Sequence, residues 1–156
     1  MQNEVTEIET DVLVVNLFEG VTSPGGATGA VDKMIGGLIT DLIVDGEISG
    51  SESELTLIHT SNSVYPDLKA SRVLIAGLGS SDRIDTNAIR RVSATVIRKL
   101  REVGVKKFAT IVHGAGIGGV DVSSSAQSLV EGSLLGAYRF LKYRTTDTKR
   151  KPDVES

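Results

Sequence analysis

The chain has 156 residues, of which 40% are hydrophobic and 4% aromatic, with 17 glycines, no cysteine and a net charge of −3. This length is typical of one domain with an ordinary core, and the lack of cysteine excludes disulfide frameworks, iron–sulfur sites and thiolate zinc sites. No apolar run reaches the ~20 residues of a membrane helix, and the polar, acidic N-terminus does not resemble a signal peptide. We therefore expect a soluble, cytoplasmic protein.

The first predicted elements are a strand and a helix. Asp11–Leu17 is a short, nearly continuous apolar run, as expected of a strand covered on both faces. Apolar residues then recur every three or four positions between Thr28 and Asp45, which predicts one helix. Gly36 and Gly37 interrupt this helix and lower its propensity.

Two strands and the most regular helix follow. The apolar runs Leu55–His59 and Arg72–Leu78 predict strands, and turn-forming residues between them predict a loop. Asp85 or Thr86 begins the helix, and Gly104 ends it in a left-handed conformation. The apolar stripe of this helix consists of Ile89, Val92, Val96, Leu100 and Val103.

The last predicted elements are a strand and a helix. Phe108–His113 predicts a fourth strand, and Ser124 and Gln127 have the spacing of a capping box that begins the helix. A globular domain over residues 1–145 is then followed by a polar, charged tail over residues 146–156. The predicted buried side of the last helix consists of Ala126, Leu129, Val130, Leu134, Ala137 and Leu141.

Charge is distributed unevenly along the chain. Residues 1–60 carry 11 acidic side chains and one base, and residues 61–156 carry 9 acidic and 16 basic ones, so that the two parts have net charges of −10 and +7. Such asymmetry can indicate a nucleic-acid surface. Because few aromatic residues lie among the bases, we favour two parts that fold together or meet a partner's complementary surface, and we expect no binding to nucleic acid or membranes.

The order of elements predicts an α/β fold with helices covering a mostly parallel sheet. Ligands of such sheets bind beyond the carboxyl ends of the strands. Glycine-rich segments follow three of the predicted strands, at residues 21–30, 77–82 and 113–119. Glycine lets backbone N–H groups approach an anion closely, so the first and third segments are candidate phosphate loops, with flexible connections or turns as the alternative. The second segment is predicted to serve a turn or a packing contact.

Side chains for catalysis are scarce. His59 and His113 each end a predicted strand, and no carboxylate lies at a spacing that would orient either ring. We therefore predict that both histidines are structural. The sequence shows no metal-ligand cluster, paired carboxylates or nucleophile elbow.

Four stretches occur in an order that is characteristic of one family. They are Asp11–Gly20; Ala30–Asp45 with residues 46–50; Arg72–Gly79 leading into Ala88–Arg91 and Leu100–Lys106; and Val130–Phe140 with Lys142-Tyr143. Together they resemble the N-terminal domain of the leucyl aminopeptidase family over residues 11–145.

This resemblance implies a macro-domain-like, three-layer α/β sandwich. In this family the two metal ions, their carboxylate and lysine ligands and the catalytic arginine belong to a C-terminal domain. The resemblance therefore implies no catalytic residue, metal ligand or cofactor in this chain. It implies a non-catalytic role in the assembly or regulation of a metallo-aminopeptidase, as a homo-oligomer or by docking to an aminopeptidase catalytic domain.

A second set of residues resembles the ligand loops of ADP-ribose-binding macro domains. Val15-Asn16 with Gly25–Val31 is similar to the first loop, and Gly116–Gly119 lies where the second phosphate loop would be. Leu17 and Phe18 depart from the pattern, which argues against ADP-ribosyl hydrolysis. The alternative function is thus a stand-alone module that binds ADP-ribose or a related phosphate-containing ligand. Its candidate ligand residues are Asn16, Gly25, Gly26, Gly29, Gly114, Gly116, Gly118 and Gly119.

Overall fold

The computed structural model describes residues 5–114 and 118–138, so the predicted tail over residues 146–156 lies outside the described residues. Within these ranges, no helix is long and apolar enough to cross a bilayer. The main elements are β1 (Val12–Phe18), α1 (Gly26–Met34), α2 (Leu38–Val44), β2 (Leu55–His59), β3 (Arg72–Gly79), α3 (Thr86–Glu102), β4 (Phe108–Thr110) and α4 (Val122–Ala137).

The four strands form one mixed sheet in the order β2-β3-β1-β4. β1 pairs in parallel with both β3 and β4, and β2 pairs antiparallel with β3. Because β1 and β3 are buried on both faces, their sequences are continuous apolar runs rather than alternating ones. The predicted mostly parallel α/β sheet is confirmed.

The side chains of β1 separate two core layers. Val12 and Val14 belong to the cluster on the α3 face of the sheet, and Leu13, Val15 and Leu17 belong to the cluster with α1 and α2. This division follows from the alternation of side chains along a strand. The fold is therefore the predicted three-layer sandwich, with the sheet between two layers of helices.

Helix α3 closely matches the sequence-based prediction. The Asp85 carboxylate accepts a hydrogen bond from the Ala88 N–H at 2.6 Å and caps the helix. Gly104 follows the helix with φ 75°, the left-handed conformation expected at a helix end. The stripe is buried as predicted at Ile89, Val92, Val96 and Leu100, and Val103 packs against the same cluster.

The single helix predicted over Thr28–Asp45 is wrong, because the segment forms two helices. Gly37 lies between them with φ 84°, which glycine adopts without strain. The buried Asp32 carboxylate accepts hydrogen bonds from the Ile39 N–H at 2.7 Å and the Thr40 hydroxyl at 2.5 Å. A side chain of α1 thus supplies the cap that glycine cannot give to α2.

Two further boundaries differ from the prediction. β4 ends at Thr110 rather than at His113. Helix α4 begins after Asp121, whose carboxylate accepts a hydrogen bond from the Ser124 N–H at 3.0 Å. The predicted capping box is therefore wrong, and the side chain of Gln127 instead donates a hydrogen bond within its own helix.

Helix α4 packs against α3 through its smallest residues. A Cβ atom on Gly132 would lie 2.3 Å from the carbonyl oxygen of Arg90, and one on Gly136 would lie 2.6 Å from that of Ala94. Ser125 and Ser128 are buried on the same side of the helix. The two helix backbones are therefore too close to admit a larger side chain between them.

The predicted buried side of α4 is consequently wrong at three positions, whereas Leu129 packs against the core cluster on the α3 face. Val130, Leu134 and Ala137 are exposed, and Ala126 and Leu129 are only partly buried. Helix–helix contact at the small residues turns Val130 and Leu134 away from α3. The remaining residue of the predicted set, Leu141, lies outside the described residues.

Two contacts join the acidic and basic parts of the chain. Glu52 pairs with Arg91 at 2.7 Å, and the Asp11 carboxylate accepts hydrogen bonds from the N–H groups of Lys106 and Lys107 at 3.3 and 3.1 Å. The exposed ion pair between Glu52 and Arg91 stabilises the fold only slightly. Both contacts agree with the view that the two parts fold together.

Candidate functional site

The segments that follow β1, β3 and β4 lie at one edge of the sheet, because these strands are parallel and adjacent. This is the edge at which α/β proteins bind ligands. The segment after β1 leads into α1, and the segment after β3 leads into α3. The sequence-predicted loops are thus on a common edge, with β1 between its two partners.

The segment after β1 presents an open helix N-terminus. Gly25 is the N-cap of α1, so no N-cap side chain accepts a hydrogen bond from the first-turn N–H groups. Gly25 and Gly26 are exposed, and no atom lies within 4 Å of a Cβ built on either residue. The Thr28 hydroxyl donates to the Asn16 carbonyl at 2.7 Å and ties the helix to β1. Such an end can hold an anion.

Two other candidates in this segment have different surroundings. A Cβ on Gly29 would lie 2.5 Å from the Pro24 carbonyl oxygen, so the close approach of the chain explains this glycine. Asn16 alternates with Val15 and Leu17, which face α1, so its side chain is on the opposite, α3 face of the sheet. The Asn16 amide is therefore not brought to Gly25.

The segment after β4 packs against the connection between β3 and α3. A Cβ on Gly114 would lie 2.6 Å from Ile84 Cδ1, and one on Gly118 would lie 2.4 Å from Ile84 Cγ2. Both glycines have positive φ, as does Gly119, around which the space is open. Gly116 lies outside the described residues. A ligand role for these glycines stays a prediction.

The glycine-rich segment 77–82, which begins within the end of β3, makes a packing contact, as predicted for it. A Cβ on Gly77 would lie 2.0 Å from the Ser51 carbonyl oxygen. The Gly79 N–H donates to the Gly50 carbonyl at 2.9 Å. The chain before β2 is thus held across the ends of the central strands.

His113 is buried at the end of the β4 segment. Its Nε2 lies 3.4 Å from the Thr110 hydroxyl, and its Nδ1 has no hydrogen-bond partner among the described residues. Burial lowers the pKa of His113 from 6.5 to about 4, because the charged ring would lose its hydration. The imidazole is therefore neutral at neutral pH, whereas His59 is exposed at the end of β2.

The described part of the chain provides no cluster of metal-binding side chains. Residues 5–114 and 118–138 bring together no group of three or more His, Asp or Glu side chains that could hold a metal ion.

Sequence reasoning missed one surface, the outward side of α4. Its signal was present in the spacing of Ser125, Ser128, Gly132 and Gly136, which recur at three and four positions. Small residues at helical spacing allow a close helix contact, and here they mark the buried side better than hydrophobicity does.

Comparison with known proteins shows the family. Residues 14–147 match the model of the N-terminal domain of the cytosol aminopeptidase family. The chain belongs to this family. The resemblance to leucyl aminopeptidases that the sequence indicated is thereby confirmed, and the chain corresponds to the family's N-terminal domain.

The curated relatives are much longer than this chain. A probable cytosol aminopeptidase of Solibacter usitatus is 33% identical over 148 residues, which cover 95% of this chain and 27% of the relative. A probable cytosol aminopeptidase of Alkaliphilus metalliredigens is 29% identical over 99% of this chain and 30% of its own length. The chain thus spans less than a third of the relatives it matches.

Solved structures agree on the fold. A tomato leucine aminopeptidase mutant matches with a TM-score of 0.69 and 15% identity, over 93% of this chain and 28% of that one. A macrodomain of Trypanosoma brucei in complex with ADP-ribose matches with a TM-score of 0.67 and 17% identity, over 85% of this chain and 54% of that one. The predicted macro-domain-like fold is confirmed.

The buried histidine predicts a pH dependence of stability. Below pH 6.5 the unfolded chain binds a proton at this position that the folded chain takes up only near pH 4. The free energy of unfolding should therefore fall by about 3 kcal/mol between pH 6.5 and pH 4 from this group. Urea unfolding at several pH values in this range measures the free energy of unfolding. This free energy should change less with pH in His113→Leu than in the parent. An equal dependence of the free energy of unfolding on pH in the parent and in His113→Leu would contradict the assignment.

Proposed function

We propose that this domain hydrolyses no peptide itself and supports the assembly or regulation of a metal-dependent aminopeptidase. The observation that carries the proposal is the match of residues 14–147 to the family's N-terminal domain in a chain that spans 27–30% of its first relatives. The part of those relatives that this chain does not match is where we place the catalytic metal centre. The relatives are named cytosol aminopeptidases, and we propose the cytosol as the place of action.

Domain replacement tests this function. The N-terminal domain of the Solibacter usitatus relative would be replaced by this chain, and the fusion compared with the relative's remaining C-terminal part. Because the domain is proposed to aid assembly, the fusion should have a higher molar mass by light scattering and a higher rate of leucine-amide hydrolysis with Mn²⁺ than the C-terminal part. This chain alone should be inactive. Hydrolysis by this chain, or a C-terminal part equal to the fusion in mass and rate, would refute the proposal.

A second candidate function is the binding of a phosphate-containing ligand such as ADP-ribose. It is supported by the open N-terminus of α1 at Gly25 and Gly26, on the sheet edge where this architecture binds ligands. The likeness to a macrodomain concerns the fold alone. The available N–H groups can donate hydrogen bonds to one phosphate, and Gly119 lies in the segment after the neighbouring strand β4.

Gly25→Asp separates anion binding from stability. Gly25 has φ −109° and open space around it, so an Asp side chain fits and can cap α1. The variant should be more stable by ~0.5 kcal/mol, because its carboxylate accepts hydrogen bonds from the first-turn N–H groups. The same carboxylate would repel a phosphate and reduce calorimetric binding of ADP-ribose about tenfold or more. Gly25→Ala should bind like the parent; a parent that shows no heat with millimolar ADP-ribose would exclude this candidate.

A further inference from the structure

The outward side of α4 is an apolar surface without a cover in the described structure. Val130 is 54% exposed, Leu134 68% and Tyr138 71%. These residues are spaced at four positions and form one stripe along the helix, which we call the outer stripe. Leu135, 67% exposed, flanks it. Single exposed apolar residues are ordinary, but a contiguous set on one helix is typical of an interaction site.

The outer stripe carries no available charge. Glu131 is the one ionisable residue of α4, and its carboxylate lies 2.5 Å from Arg90 Nε and accepts a bond from Gln127 at 2.8 Å. The hydrogen bond from Arg90 lowers the pKa of Glu131, so the carboxylate stays ionised and paired. The surface therefore suits a neutral, apolar partner and not a nucleic acid or a charged peptide.

The position of α4 in the family indicates the partner. The family model describes an N-terminal domain, and relatives such as that of Solibacter usitatus are more than three times as long as the matched part. In those relatives, further polypeptide follows the segment equivalent to α4. The outer stripe reaches Tyr138, the C-cap of α4, and the Arg101 guanidinium donates to the carbonyl of Ala137 and fixes this end of the helix.

We propose that the outer stripe docks against the C-terminal part that follows this domain in cytosol aminopeptidases. Because that part is covalently attached beyond α4, it has a high effective concentration near the stripe. Burial of Val130, Leu134 and Tyr138 then removes apolar surface from water. This inference rests on the proposed function, and it assigns the surface through which that function is exerted.

Photo-crosslinking in the fusion of this chain with the C-terminal part of the Solibacter usitatus relative tests the surface. A benzophenone amino acid would replace Leu134 in one protein and Val44 in another. Val44 is the matched control, because it is an equally apolar and exposed residue, on α2 in the opposite helical layer. Crosslinks from position 134 to the C-terminal part of the same fusion, with none from position 44, are expected. Crosslinks from position 134 to the N-terminal domain of a second copy, or to nothing, would overturn the proposal.

A charge substitution gives an independent readout. Leu134→Asp should weaken the contact between the two parts about tenfold, measured as faster proteolytic separation, because a carboxylate is costly in an apolar contact. Val44→Asp should separate like the parent, and Leu134→Asp should leave the unfolding midpoint of this chain alone unchanged, since the residue is exposed. If the fusion assembles and is active while Leu134→Asp has no effect, the surface is wrong and the proposed function stands. A fusion no better than the C-terminal part refutes the function itself.

Discussion

The close approach of α4 to α3 at Gly132 and Gly136 determines what this domain presents to its surroundings. Each glycine lies so close to a carbonyl oxygen of α3 that a Cβ atom would clash with it. The small residues consequently lie inside the contact, and Val130, Leu134 and Leu135 lie outside it. Arg101 and the ion pair between Arg90 and Glu131 hold the helix in this rotation. With this arrangement, apolar side chains of α4 are exposed while the core beneath α3 stays buried.

The described part of the domain has few side chains suited to catalysis. The described residues contain a four-stranded sheet with a core on each face, no group of three or more side chains that could hold a metal ion, and one buried, neutral histidine. The carboxyl edge of the sheet offers a helix N-terminus at Gly25, and α4 offers an apolar stripe. We relate the apolar stripe to the architecture of the relatives, of which this chain spans less than a third.

Elements with one clear period were predictable from the sequence. β1, β3 and α3 were found within a residue or two, because continuous apolar runs and a 3.6-residue stripe each have one structural solution. The break at Gly37 was not predictable, because it depends on Asp32 capping a second helix. The rotation of α4 was missed because the prediction followed hydrophobicity, whereas the small residues at helical spacing are the ones that pack against the backbone of α3. The candidate site shows the same limit. A glycine needed for packing, such as Gly29 or Gly118, cannot be distinguished in sequence from one in open space, such as Gly25.

The rotation of α4 is the central claim, and thiol labelling tests it most directly. The chain contains no cysteine, so Leu134→Cys and Ser128→Cys each carry a single thiol. Leu134 is exposed and Ser128 is buried against α3. Under native conditions a maleimide should modify Leu134→Cys as fast as the unfolded chain and Ser128→Cys about a hundredfold more slowly, since the latter must await local opening. Fast modification at position 128 with protection at position 134 would contradict the account.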